Sequence, residues 1–190
     1  MSKNFKKNAV IFFGSPRENG FTAKLTEKFM MRTNEFYNFV KFSAYKEKIK
    51  PCIACGFCNS ITTCIYKDFE KIDCLVKKSD TIIIASPIYN MSLPSPLKSV
   101  IDRMQPYFAS QIFHKENLFN CKEAILILTL GSKNKSASKL VRQQLKPVLN
   151  SLNAKILGQI VWENTDRVKE IDDFTQKNLE KIIKLITNKN

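Results

Sequence analysis

The stretch AVIFFGSPRENGFTAKL, residues 9–25, decides the fold. Its first five residues, Ala9–Phe13, form a continuous apolar run of the kind found in strands buried on both faces of a sheet. Glycine, serine, proline and asparagine dominate the residues that follow, so the chain is expected to turn there. Amphipathic spacing then predicts a helix over Thr22–Thr33. A buried strand that turns directly into a helix is the opening unit of an α/β protein.

Apolar runs and amphipathic stretches continue to alternate along the chain. Further strands are predicted over Glu35–Phe42, Thr81–Ala85, Ala124–Leu130 and Ala154–Trp162. Helices are predicted over Phe69–Lys78, from Leu97 to Phe108 with Lys98 and Asp102 as an i,i+4 pair, from Leu140 to Leu149, and over Ile171–Ile186. Pro147 is expected to kink the third of these helices or to open a new turn. Five strands separated by helices predict an open parallel sheet, in the order 2-1-3-4-5, with helices on both faces.

The composition is that of a globular protein with a basic surface. The chain has 190 residues, and neither a repeat nor a linker divides it, so one domain over residues 1–190 is expected. The formal net charge is +14, but the lysines are scattered along the chain. A solvated surface that attracts phosphate-bearing ligands is therefore favoured over nucleic-acid binding, which is unlikely on this pattern.

The chain contains no apolar segment typical of export or of a membrane. The run behind the basic opening MSKNFKK is too short for a signal peptide, and no run approaches the roughly 20 residues that span a bilayer. Four of the six cysteines fall within a short segment, unlike the spread framework of a secreted disulfide protein. We therefore expect a cytoplasmic protein.

Two loops are predicted to form the ligand site, because ligands of such sheets bind at the carboxyl ends of the strands where the strand order reverses. In the first loop, Gly14–Thr22, the side chains of Ser15, Arg17, Asn19 and Thr22 could surround a phosphate at the start of the helix. This loop matches neither a Walker motif nor Gly-x-Gly-x-x-Gly. The alternative is an ordinary turn capped by Thr22.

The second loop, Ser86–Ser92, has the sequence SPIYNMS. It places the aromatic ring of Tyr89 and several polar groups at the end of the third strand, where a flat heterocycle could stack and be held by backbone N–H groups. The two loops together favour a ligand that carries both a phosphate and a ring.

Four cysteines form the motif Cys-x2-Cys-x2-Cys-x5-Cys within a loop over residues 51–68, at Cys52, Cys55, Cys58 and Cys64. Structural zinc more often pairs two knuckles across a longer separation. Three cysteines at this spacing resemble the start of a ferredoxin loop, so the four could hold a [4Fe–4S] cluster. Free redox-active thiols stay open as the alternative. Cys74 and Cys121 lie outside the motif and are predicted to be buried thiols.

The remaining candidates favour chemistry carried by a cofactor. His114 is the only histidine and is expected to be incidental, and we place neither a Ser-His-Asp set nor a paired-carboxylate motif. No catalytic side chain is therefore assigned, which suits a cofactor enzyme. The aromatic residues of the stretch after the third strand are expected to pack a subunit contact or a lip over the ligand: Tyr107, Phe108, Phe113 and Phe119.

The segments GSPRENGFTAKL and SPIYNMSLPSPLKSVIDR resemble the NAD(P)H-dependent FMN reductase branch of the flavodoxin-like proteins. The intervening PCIACGFCNSITTCIYKD resembles the compact cysteine motif of iron–sulfur flavoproteins. The resemblance covers about residues 8 to 105, and beyond that it is one of general architecture. It departs from the family at Phe21, where an asparagine is usual, and at Phe69, where a second acid often follows Lys67 and Asp68.

The resemblance implies FMN as cofactor and NAD(P)H as co-substrate. It implies that the FMN phosphate is held by Ser15, Arg17, Asn19, Gly20, Phe21 and Thr22, and the ring by Pro87, Ile88, Tyr89, Asn90, Met91, Ser92 and Gly131. The electron acceptor would be a quinone, a free flavin, a small electrophile or a redox partner protein. The alternatives are an iron–sulfur electron carrier without NAD(P)H turnover and, less favoured, a basic nucleic-acid-associated protein. A homodimer or homotetramer is expected.

Overall fold

A computed structural model describes residues 5–189 of the chain. Residues 1–4, with most of the basic opening considered above, lie outside the described part. The strands are β1 Lys7–Phe13, β2 Tyr37–Ser43, β3 Thr81–Pro87, β4 Lys122–Thr129 and β5 Ala154–Trp162. The helices are α1 Phe21–Thr33, α2 Ala44–Glu47, α3 Phe57–Ser60, α4 Phe69–Lys78, α5 Ser95–Asp102, α6 Gln105–Ala109, α7 Lys135–Ser151 and α8 Asp173–Thr187, with a π-helical turn over Ser110–His114.

The strands form one parallel sheet in the order β2-β1-β3-β4-β5, which confirms the predicted flavodoxin-like topology. Alternate side chains of each strand enter different cores, since successive residues point to opposite faces. In β1, Val10 and Phe12 pack with α4, α5 and α7, whereas Ile11 and Phe13 pack with α1 and α8. Each fully buried large apolar side chain contributes about 1.5–3 kcal/mol, so both faces stabilise the sheet.

The helix predicted from Leu97 to Phe108 is two helices. Pro106 lies at the start of α6, and its ring would clash with the carbonyl of Asp102 if α5 continued. The chain therefore leaves α5 after Asp102 and begins again at Gln105. In α7, by contrast, Pro147 does not open a new helix. Proline has no N–H, so the carbonyl of Gln143 receives no hydrogen bond from position 147. Gln143 is exposed, so water can bond to this carbonyl instead.

Two further predictions about buried and exposed side chains are wrong. Cys74 and Cys121 are exposed rather than buried, because Cys74 lies on the face of α4 opposite the buried Ile72 and Cys121 precedes β4. Tyr107 and Phe119 form neither a subunit contact nor a lip. They are buried against each other, with ring centroids 5.0 Å apart, and belong to the core beneath α4.

No helix among the described residues has both the length and the apolar character needed to cross a bilayer.

Gly14 is required at the end of β1. A Cβ atom at this position would lie 2.5 Å from Cδ2 of Leu97 on α5 and 2.9 Å from Oγ of Ser86. We expect Gly14→Ala to lower the free energy of unfolding by about 1–3 kcal/mol, because the clash forces α5 outward. Denaturant unfolding measures the change.

The control is a double-mutant cycle with Leu97→Ala, which alone should cost about 2–5 kcal/mol. If the clash with Leu97 is the cause, the double variant loses less than the sum of the two single variants. Simple additivity would contradict the packing argument.

Candidate functional site

Backbone hydrogen bonds bring three strand ends together at the carboxyl edge of the sheet. The N–H of Gly14 donates to the carbonyl of Ala85 at 2.8 Å, and the N–H of Ile88 donates to the carbonyl of Thr129 at 2.9 Å. The loops that follow β1, β3 and β4 therefore leave the sheet side by side. They surround a cavity of about 560 Å³, a size within the range of small-molecule sites.

Ten of the thirteen residues predicted to bind the cofactor line this cavity: Ser15, Arg17, Gly20, Phe21, Thr22, Pro87, Ile88, Tyr89, Asn90 and Gly131. Asn19, Met91 and Ser92 are not among the lining residues. The structure adds four residues that the sequence analysis did not name: Thr129, Ser132, Thr165 and Asp166. The role of this set in binding FMN stays a prediction.

The helix α1 begins at the cavity without a side-chain cap. Gly20 occupies the N-cap position, and the first turn carries no acidic residue. Thr22 is not the cap, since it lies inside the helix and its hydroxyl is hydrogen-bonded to the hydroxyl of Thr129 at 2.7 Å. The first N–H groups of a helix have no intrahelical partner. This end of α1 can therefore bind an anion.

Phe21 changes the surroundings of this helix start. Its ring meets the buried Trp162 edge-on, with centroids 5.0 Å apart. The ammonium groups of Lys24 and Lys169 lie 5.9 and 5.4 Å from the centre of the same ring. The side-chain amide usual in the family is absent, but two cations are held beside the ring that replaces it.

The loop after β3 is a tight turn. Tyr89 and Ser92 exchange backbone hydrogen bonds of 3.0 and 2.9 Å, and the two residues between them have positive φ angles, 48° at Asn90 and 64° at Met91. This turn keeps the Tyr89 ring at the mouth of the cavity, 45% exposed. Met91 Sδ lies 3.3 Å from Nδ2 of Asn134, and Ser92 Oγ donates to Gln144. These two side chains therefore contact α7 and the residue before it rather than the cavity.

Asp166, which was not predicted from the sequence, places a carboxylate in the cavity. The loop after β5 returns to the loop after β4 through hydrogen bonds from the N–H of Thr165 to Leu130 and from the N–H of Asp166 to Gly131. A Cβ atom on Gly131 would lie 2.4 Å from the Asp166 carboxylate. Glycine is thus needed for the close approach. The sequence signal was a Thr-Asp pair just beyond the fifth strand.

A second cavity, of about 240 Å³, is lined by all four motif cysteines together with Arg103 and Pro106. Burial raises the pKa of the Cys58 thiol, and the neighbouring thiolates of Cys52, Cys64 and Cys55 raise it further. No three metal-binding side chains among residues 5–189 are grouped tightly enough to hold a single ion. The structure brings all four cysteine thiols of the motif to one cavity, and four cysteine thiols are the donor set that a [4Fe–4S] cluster takes.

The remaining candidates lie apart from both cavities. His114 lies on the π-helical turn, outside the lining of either cavity, and its Nε2 has no hydrogen-bond partner in the described part of the chain. Phe69, where relatives often carry an acid, is buried against Tyr107 with ring centroids 5.5 Å apart. A carboxylate could not be solvated there.

The family model for the NADPH-dependent FMN reductases matches residues 8–166. The chain belongs to this family of oxidoreductases, whose members use FMN and NAD(P)H. The match extends past residue 105, where the resemblance recognised in the sequence ended, and includes Thr129, Gly131 and Asp166.

Curated relatives carry two kinds of name. An iron–sulfur flavoprotein of Archaeoglobus fulgidus is 34% identical over 101 residues, covering 52% of this chain and 46% of the relative, and another from that organism is 26% identical, covering 90% and 91%. An FMN-dependent NADH:quinone oxidoreductase of Francisella philomiragia is 35% identical, covering 56% and 58%. The chain thus spans about half the length of most of the curated relatives it matches.

Solved structures agree with the fold. The NAD(P)H:quinone oxidoreductase of Methanothermobacter marburgensis superposes with a TM-score of 0.75 at 13% identity, covering 97% of this chain and 96% of the other. At this identity the likeness establishes the architecture alone.

The positive φ of Met91 gives a test of the turn that holds Tyr89. A β-branched side chain is strongly disfavoured at such an angle, whereas an unbranched one of similar size is tolerated. We expect Met91→Ile to be less stable than Met91→Leu by about 1 kcal/mol. Urea unfolding of the two variants measures the difference, and equal stabilities would contradict the assigned turn.

Proposed function

We propose that the protein is an FMN-dependent NAD(P)H oxidoreductase that passes electrons to a small-molecule acceptor of the quinone type. The observation that carries the proposal is the cavity at the carboxyl ends of β1, β3 and β4, which combines an uncapped helix start with an aromatic ring at its mouth. Family membership and relatives named as FMN-dependent NADH:quinone oxidoreductases support it.

The residues fit FMN at both of its ends. The phosphate would be held by the N–H groups at the start of α1, by the hydroxyl of Ser15 and by the guanidinium of Arg17. The ring would lie along Pro87–Asn90, against Gly131. Asn19, Met91 and Ser92 are left out of this proposed set because they do not line the cavity.

Bound FMN would accept a hydride from the nicotinamide and release two electrons to the acceptor. In sum, NAD(P)H, a proton and a quinone give NAD(P)⁺ and a hydroquinone, with the proton taken from solvent. The chain's own residues would bind and orient the reactants. Tyr89 would cover one side of the ring site, and Asp166 would keep a negative charge next to Gly131 that opposes an anionic ligand there.

Turnover is the direct test. Protein reconstituted with FMN is mixed anaerobically with NADH or NADPH and a soluble benzoquinone, and nucleotide oxidation is followed by absorbance. We expect quinone-dependent oxidation with at least one nucleotide. Stable FMN binding without any such oxidation would reject the enzyme and leave an electron carrier.

Arg17→Ala should weaken FMN binding by about tenfold or more, because a charge-assisted hydrogen bond is worth roughly 1.5–3 kcal/mol. Riboflavin, which lacks the phosphate, should bind both proteins weakly and alike. Flavin fluorescence titration measures both affinities. Arg142→Ala, on α7 away from the cavity, is the matched control. Equal affinities of the wild type for FMN and riboflavin would overturn the phosphate assignment.

The cysteine cavity supports a second, finer proposal. We infer that Cys52, Cys55, Cys58 and Cys64 hold a [4Fe–4S] cluster, because all four line one cavity and several relatives are named iron–sulfur flavoproteins. A bound cluster would carry single electrons between the flavin and a redox partner protein. A redox partner protein would then be a second acceptor beside the quinone.

Replacing any one of the four motif cysteines by serine should deplete iron and sulfide in protein purified without oxygen, because the cluster needs each thiolate. Cys74→Ser and Cys121→Ser are the controls and should retain both elements. FMN should remain bound in every variant, since the cofactor cavity shares no lining residue with the cysteine cavity. Wild-type protein that oxidises NAD(P)H yet contains no iron or sulfide would reject the cluster.

A further inference from the structure

One arginine closes the cysteine loop. Nη1 of Arg103 donates to the carbonyl of Lys50 at 2.9 Å, just before the loop. Nη2 donates to the carbonyl of Tyr66 at 3.2 Å and to Oδ1 of Asp68 at 2.6 Å, just after the last cysteine. The other oxygen of Asp68 accepts the N–H of Lys50 at 3.1 Å. Both ends of the loop are thus joined at one guanidinium, and we call these four residues the clasp.

The clasp is built around a buried charge. The side chain of Arg103 is 0% exposed and that of Asp68 is 29% exposed, with the Tyr66 ring 4.8 Å from the guanidinium carbon. A buried ion pair of this kind is costly to break, because either partner alone leaves an uncompensated charge. Arg103 also lines the cysteine cavity, and its Nε–H has no acceptor in the described part of the chain.

The helix α5 fixes the position of Arg103. Arg103 is the C-cap of α5, whose first residue, Ser95, follows the loop that holds Tyr89. Leu97 of α5 rests in the space that a side chain at position 14 would fill. Eight helical residues span roughly 12 Å. One short helix therefore begins just after the loop that lines the cofactor cavity and ends at the clasp.

We infer that Arg103 is the positioning residue of the cysteine site. It holds the four sulfurs around their cavity by closing the loop, and it gives that cavity a fixed positive charge. The most direct measurement of this role needs the cluster proposed above. The inference itself does not need the cluster, because the clasp also orders the loop when no iron is bound. Guanidinium geometry is essential, because only a planar fork reaches two carbonyls and a carboxylate together.

The positive charge of Arg103 should change the midpoint potential of the cluster, which a purely structural role would not do. A positive charge near a cluster favours the reduced, more negative state, and a negative charge opposes it. Arg103→Gln should therefore lower the cluster's midpoint potential, whereas Asp68→Asn should raise it. Arg103→Lys keeps the charge and should leave the potential near that of the wild type, while weakening closure of the loop.

The test uses the full chain purified without oxygen. Iron release to a chelator is timed, the midpoint potential is measured by a titration followed by EPR, and bound FMN and the melting temperature are recorded. We expect iron to leave Arg103→Gln and Arg103→Lys about tenfold faster or more, since charge-assisted hydrogen bonds are lost. FMN occupancy should be unchanged. Arg32→Gln, which removes an exposed ion pair with Glu180, is the control and should match the wild type.

Each outcome supports or overturns the inference. If folded, FMN-loaded Arg103→Gln protein releases iron at the wild-type rate, the inference is wrong. It is also wrong if the midpoint potential shifts in the same direction in Arg103→Gln and Asp68→Asn. If Arg103→Gln does not fold, Arg103→Lys and Asp68→Asn decide by the same readouts.

Absence of iron from the wild type rejects the cluster alone, and alkylation with iodoacetamide then tests the clasp. The half-buried Cys58 and Cys64 should react several-fold faster in Arg103→Lys, which loosens the loop while keeping the positive charge next to the thiols, with the exposed Cys74 and Cys121 unchanged. Unchanged rates at Cys58 and Cys64 overturn the inference.

Discussion

The close approach of α5 to Gly14 is the constraint on which both sites depend. The backbone of Gly14 donates to Ala85 at 2.8 Å and so keeps β1 in register with β3 to the last residue before the loop. Leu97 fills the space above it. Because the same contact fixes α5, it positions the start of the loop after β1 and, at the other end of the helix, the arginine that closes the cysteine loop. A side chain at position 14 would disturb both cavities at once.

Local groups, rather than the overall charge, account for the anion-binding character of the site. The formal charge of +14 is spread over the surface, where salt screens it. At the cavity, the uncapped start of α1 and the guanidinium of Arg17 favour an anion, and Asp166 is the one carboxylate among the lining residues. Lys24 and Lys169 add positive charge beside Phe21. The oriented N–H groups at the start of α1 favour an anion at short range, which a count of lysines cannot reveal.

The sequence predicted the elements that depend on local periodicity. The five apolar runs became the five strands, and the two Gly- and Pro-marked loops meet at one cavity because parallel strands end at the same edge. The sequence did not reveal the break before Pro106, because the apolar spacing continues through it. Thr165 and Asp166 were missed because their place in the cavity depends on the loop after β5 folding back onto Gly131. The exposure of Cys74 could have been predicted, because this residue is out of phase with the buried residues of α4.

The cysteine motif also shows that sequence spacing predicts a set of residues but not the contacts that hold the set in place. The spacing of the four cysteines identifies them as a set, and the structure places all four around one cavity. Spacing cannot reveal what keeps them there, because the closing residue lies 35 positions beyond Asp68. Burial raises the pKa of the Cys58 thiol, and the three neighbouring cysteines raise it further, so gathering these sulfurs as anions carries an electrostatic cost. A loop that must gather negative sulfurs therefore needs a fixed cation and a rigid support, and Arg103 at the end of α5 combines the two.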